Sequence, residues 1–140
     1  MVVLDEVGRV LVFERSDVLG AFQLPQGGMD DDEEPVDAMW RELEEETGLT
    51  GAHVAILGQV PEWLGYELPP SVRSKKVGRG QVHKWFILRA LQADLPIGLG
   101  DGPHAEFRSW RWSDLDDLAG EVAPFREPVY RRLAEFVRRY

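Results

Sequence analysis

Glu42, Glu45 and Glu46 stand at i, i+3 and i+4, a spacing that makes their carboxylates neighbours if the segment is helical. Like charges at this spacing repel, at a cost of about 0.2–0.5 kcal/mol per pair. A helix shaped only by folding would interleave Lys or Arg there. Two readings follow, a solvated acidic face or a patch that collects hard divalent cations, which take oxygen ligands. The charge balance bears on the choice. The chain carries 25 acids against 16 Lys and Arg, for a net charge of −9. Ten of those acids lie between Asp30 and Glu46 with one base, Arg41, so the remaining residues balance at fifteen of each sign. An acidity serving solubility would be spread out. Asp30–Glu34 read well as a solvated loop; that reading suits Glu42, Glu45 and Glu46 less well, and their spacing alone leaves the solvated face and the cation patch both open.

The elements that must position this patch are legible around it. A helix is expected from Pro35 to Thr47, with proline at the first helical position and Gly48 just past the end. On a wheel, Val36, Met39, Trp40, Leu43 and Thr47 form its buried arc, and the three glutamates lie about a quarter-turn away. Glu34 precedes Pro35 where Ser or Thr would cap better. Short strands are expected at Val2–Leu4, Arg9–Phe13, Ala21–Leu24, Val54–Gln59, Glu62–Tyr66, Val82–Leu88 and Phe107–Trp112, the last with one aromatic face. Ser113 is placed to cap a short helix through Leu118, with Asp116 closing the capping box. A final helix from about Pro128 carries the stripe Val129, Leu133, Phe136, Val137 and Tyr140. These elements predict an α+β fold, an α/β/α sandwich with a mixed β-sheet between helices. At 140 residues one domain is expected over 1–140.

Gly27, Glu33 and the run Arg41-Glu42-Leu43-Glu44-Glu45-Glu46-Thr47-Gly48-Leu49 match the pattern G-x5-E-x7-R-E-U-x-E-E-x-G-U, where U is aliphatic. The chain therefore resembles the Nudix family of hydrolases. The resemblance implies the Nudix fold with its catalytic loop-helix-loop. It also makes Glu42, Glu45 and Glu46 metal ligands, beside a Gly27 backbone that approaches the metal closely for want of a Cβ. Glu33 and Arg41 become a structural pair holding loop to helix. The implied cofactor is Mg²⁺, two or three ions, with Mn²⁺ as a substitute.

Further segments narrow the resemblance: Gln23–Gly28, Glu62–Pro69, Gly80–Phe86, Glu106–Trp112 and Phe125–Arg132. In this order they are similar to the bacterial RNA pyrophosphohydrolase and dinucleoside polyphosphate hydrolase group. That likeness makes Glu106 a metal ligand or catalytic base from outside the box, and Phe125 a nucleobase-stacking aromatic. It gives Arg126 as a phosphate contact and places Tyr66 and Lys84 near the polyphosphate. Ordinary structural roles stay open for each, and Trp85 and Trp110 read as core aromatics. His83 reads as a strand histidine rather than a ligand. The group's Arg-x-x-Val-Gly segment ahead of the first strand has no counterpart here, and Arg15 is the nearest base that could serve. Arg73, Lys75, Lys76 and Arg79 could hold further phosphates or an RNA backbone.

The implied reaction is hydrolysis of a phosphoanhydride by metal-activated water, with a box glutamate or Glu106 as base. The expected substrate is a nucleoside polyphosphate or an RNA 5′ end. Smaller nucleoside diphosphate derivatives, free nucleoside triphosphates, and a silent nucleotide-binding sensor are the alternatives. No cysteine is present, which excludes disulfides and thiolate chemistry and suits a cytoplasmic protein. From the residues given, no membrane segment, signal peptide or DNA-binding motif is expected, and the sequence carries no signal for an oligomeric state.

Overall fold

The computed structural model describes residues 1–72, 80–100 and 105–140. The basic cluster Arg73, Lys75, Lys76 and Arg79 lies outside the described residues. Among the described residues eight strands and three α-helices are formed: β1 Val2–Leu4, β2 Val10–Arg15, β3 Phe22–Gln23, α1 Pro35–Thr47, β4 Val54–Gln59, β5 Leu64–Glu67, β6 Gly80–His83, β7 Phe86–Ala90, β8 Phe107–Ser113, α2 Leu115–Glu121 and α3 Glu127–Val137. The main sheet runs β3-β2-β1-β7-β4, with β8 also paired to β2. β1 and β7 are parallel and the other pairs antiparallel, so the sheet is mixed. β5 and β6 form a separate two-stranded sheet.

Alternation along the strands builds two cores. Val2, Leu4, Val10, Val12 and Ile87 face α2 and α3, where they meet Leu118, Val129, Tyr130, Leu133 and Phe136. Val3, Leu11, Phe13, Phe86 and Leu88 face the other way, onto Met39 and Leu43 of α1. Helices on both faces of one mixed sheet give the expected α/β/α sandwich. Among the described residues no helix is long and apolar enough to cross a membrane.

Several local expectations are corrected. The strand expected over Val82–Leu88 is two, because β6 pairs with β5 while β7 enters the main sheet, with Lys84 and Trp85 between them. Phe107 is buried but Trp110 is 40% exposed. A register shift in the β2–β8 pair sets Phe107 opposite Arg15, Trp110 opposite Phe13 and Trp112 opposite Leu11, so the three aromatics share one face as expected, but Trp110 lies at its open end and is no core residue. The cap of α2 is Asp114, which accepts from the Asp117 N–H at 3.0 Å, and not Ser113. In α3 the stripe ends early, with Tyr140 beyond the helix and 48% exposed, while Tyr130 is buried and its hydroxyl accepts from the Leu24 N–H at 2.9 Å.

Candidate active site

α1 begins where proline needs no N–H partner and ends at Gly48, whose φ of 76° lies in the left-handed region. No side chain caps its start. Its buried residues are Ala38, Met39, Leu43, Glu46 and Thr47, with Val36 and Trp40 at the margin. That arc is turned by roughly 50° from the expected one, at about 100° per residue. The turn carries Glu46 inside, 6% exposed. The three glutamates are therefore not one surface patch. Glu46 is buried, Glu42 is mostly covered and Glu45 points outward with 58% of its side chain exposed.

Arg41 ties the segment together. Its Nε and Nη2 donate to the two oxygens of Glu33 at 2.9 and 2.7 Å, a bidentate pair. Nη2 also donates to the Gly28 carbonyl at 2.9 Å, and Nη1 reaches Glu42 at 2.8 Å and Glu45 at 3.3 Å. The loop before α1 is thus tied to the helix through one planar fork, a geometry Lys cannot copy. The Arg41 hydrogen bonds hold the Glu33 carboxyl at about 2, well below the usual carboxylate range.

Glu46 experiences the opposite field. Burial, then the charge of Glu106 and a hydrogen bond with it, then Glu42, push its carboxyl well above the ordinary range. Glu106 precedes β8, where its carbonyl accepts from the Ser16 N–H at 3.0 Å and the neighbouring Phe107 stacks on Phe13 at 5.0 Å. Glu42 is raised as well, chiefly by desolvation, with Arg41 opposing. One oxygen of Glu46, Oε2, is enclosed without a hydrogen-bond partner. An added Cβ at Gly27 would collide with the Glu42 side chain, so only glycine lets the loop lie this close.

A cavity of about 450 Å³ opens beside these carboxylates. Glu42, Glu106, Gly27 and Lys84 line it. Glu45, Glu46, Tyr66, Phe125, Arg126 and Arg15 do not. Arg15 makes a bidentate pair with Asp17 at 2.9 and 2.6 Å and does not stand free for a phosphate. Tyr66 and Phe125 do meet, at 5.2 Å between rings. Arg126 lies over both, at 5.9 and 5.2 Å, and donates from Nη1 to the buried Gln23 at 3.0 Å, so in this structure it braces the aromatic pair. Lys84 donates to the Pro61 carbonyl at 2.7 Å. The cavity also takes in His83, expected as a strand histidine and found at the end of β6, and Gln26, Met29, Trp63 and Val82, which residue type and spacing did not single out.

The residues fit hard divalent cations. The donors are carboxylates, one buried oxygen is unpartnered, and the repulsion among Glu42, Glu46 and Glu106 is of the kind a cation relieves. Among the described residues no three such groups already form a cage, since Glu42 and Glu45 turn toward Arg41.

Comparison with known proteins identifies the family. The NUDIX domain model matches residues 1–133. RNA pyrophosphohydrolase of Acidiphilium cryptum is 45% identical over 140 residues, covering 95% of this chain and 84% of its own length. RNA pyrophosphohydrolase of Rhodospirillum rubrum is 43% identical, covering 90% and 76%. Among solved structures, a C. elegans Ap4A hydrolase binary complex superposes with a TM-score of 0.72 at 21% identity over 99% of this chain and 95% of its own, which shows the shared fold. The Nudix family generally uses divalent metal cations. With its intact box, its sandwich and these relatives, the chain belongs to the Nudix family.

Proposed function

We propose that residues 1–140 act as one Nudix domain whose reaction is the hydrolysis of a phosphoanhydride at a triphosphorylated RNA 5′ end, working in the cytoplasm. The observation that carries this is the convergence of Glu46 and Glu106 with Glu42 at the edge of an open cavity. The RNA part of the reading is supported by the names of relatives at 45% and 43% identity. Dinucleoside polyphosphates offer the same chemistry and are proposed as a second substrate.

Glu42, Glu45, Glu46 and Glu106 would hold two or three Mg²⁺ ions, or Mn²⁺ in their place. When bound, they supply neutralisation of the polyphosphate charge and activation of the attacking water. The chain does the rest. Arg41 keeps loop and helix in register through Glu33 and Gly28. Gly27 leaves room for Glu42. Glu106, which lines the cavity where Glu46 does not, is assigned as the base that takes the proton of the attacking water. Lys84 brings a positive charge to the cavity for the remaining phosphates. The Tyr66–Phe125 pair, braced by Arg126, stacks a nucleobase.

The test is product release with Mg²⁺ from triphosphorylated RNA, diadenosine tetraphosphate and ADP-ribose. Release of pyrophosphate or successive phosphates from the RNA is expected, with diadenosine tetraphosphate cleaved and ADP-ribose untouched. Turnover of ADP-ribose alone would transfer the reading to smaller nucleoside diphosphate derivatives. No turnover of any of the three would leave a nucleotide-binding sensor.

A further inference from the structure

The hairpin of β5 and β6 has two usable faces. Leu64 pairs with His83 and Tyr66 with Gln81, and on that side Tyr66 packs against His83 and Phe125. Alternation sends Val82, paired with Gly65, to the opposite side. Trp63 and Lys84, one residue beyond each strand, share that side, with the Lys84 Nζ 5.8 Å from the indole centroid. The bond from Lys84 to the Pro61 carbonyl uses one of three ammonium hydrogens. Gly65 adds no side chain between them.

This second side is apolar and open. Trp63 is 51% exposed, Val82 63% and Met29 46%, and all three line the same cavity as Glu42 and Glu106. Single exposed apolar residues are ordinary, but a group of them around one cavity mouth marks a ligand face. An indole with an ammonium on one side and half its surface exposed suits a flat π-system that carries negative charge nearby. A nucleobase joined to a phosphate has both features.

We propose that Trp63, flanked by Met29, Val82 and Lys84, is a stacking shelf for a second nucleobase, distinct from the Tyr66–Phe125 pair. Its ligand is the second nucleotide of a triphosphorylated RNA or the far nucleoside of a dinucleoside polyphosphate, with Lys84 meeting the adjoining phosphate. The proposal rests on the hydrolase reading above and adds which part of the substrate lies where.

The experiment is calorimetric binding of hydrolysis-resistant, methylene-bridged ligands to the full chain. Bridged diadenosine tetraphosphate and a bridged 5′-triphosphate dinucleotide RNA are each compared with bridged adenosine tetraphosphate. Trp63→Ala is expected to reduce the preference for two-base over one-base ligands roughly 10- to 100-fold, by raising the Kd of the two-base ligands alone. Trp63→Phe should restore most of it. The arm that responds, RNA or dinucleoside, identifies the source of the second base. Trp63 lies outside both buried clusters, so the melting temperature reports whether the variant is folded. An unchanged ratio in Trp63→Ala, with the wild type binding both classes, overturns the shelf alone. Failure of the wild type to bind any of the three ligands overturns the hydrolase reading and the shelf with it.

Discussion

Glu46 is the residue at which stability and chemistry conflict. A carboxylate 6% exposed, facing Glu106 and Glu42, destabilises the metal-free fold. Glu46→Gln removes the buried ionisable carboxyl at nearly constant volume. It is expected to raise the melting temperature of the metal-free protein by several degrees while lowering turnover by at least about 100-fold. Calorimetry in chelator and steady-state kinetics in Mg²⁺ check the two halves, and a variant that melts lower or keeps its activity would contradict the assignment. Arg41 makes the opposite kind of contribution, through geometry. Arg41→Lys keeps the charge but loses the fork that meets Glu33, Gly28 and Glu42. Turnover should fall roughly 10- to 100-fold, and Mg²⁺ affinity should fall with it.

At the scale of elements, α1 starts without a side-chain cap, since Glu34 stands in extended conformation and makes no cap bond. Glu34→Ser should stabilise the protein by about 0.5–1 kcal/mol, measured by urea denaturation, and leave turnover untouched. The small β5–β6 sheet carries a pH dependence. His83 has its pKa lowered from 6.5 to about 4, first by burial and then by the positive charges of the amino terminus and Arg126. The folded state therefore resists a proton that the unfolded chain accepts, so His83 contributes stability above pH 6.5 that is lost as pH falls toward 4. The loss should come to about 3 kcal/mol at most, and His83→Gln should flatten the stability curve between those limits. If His83→Gln shows the same slope as wild type, the imidazole is not the group that titrates.

For the whole molecule, the concentration of ten acids between Asp30 and Glu46 predicts a response to divalent cations. Mg²⁺ binds the folded state and not the unfolded one, so it should raise the melting temperature with concentration. Chelator should abolish turnover, and fresh Mg²⁺ should restore it. In Glu46→Gln both the thermal shift and the restoration should be lost.

Much of this protein was determined by local order along the chain. Pro35 and Gly48 bound α1 because proline and glycine act on their own backbone, and Gly27, Glu33 and Arg41 through Glu46 were recognisable as a pattern of fixed spacing. The two cores follow from the alternation of Val2, Val3 and Leu4 and of Val10 through Phe13. Tertiary structure decided what depends on neighbours distant in sequence. The rotation of α1 that buries Glu46 is set by how the helix seats on the sheet, which no helical wheel contains. Glu106 reaches Glu46 only because β8 pairs with β2 and anchors its first residue. The spacing of Arg126 and Arg15 could not show that one braces Tyr66 and Phe125 or that the other is taken by Asp17. Trp63 and Lys84 come to share a face because β5 and β6 fold together, a pairing across the chain that periodicity within either strand cannot specify.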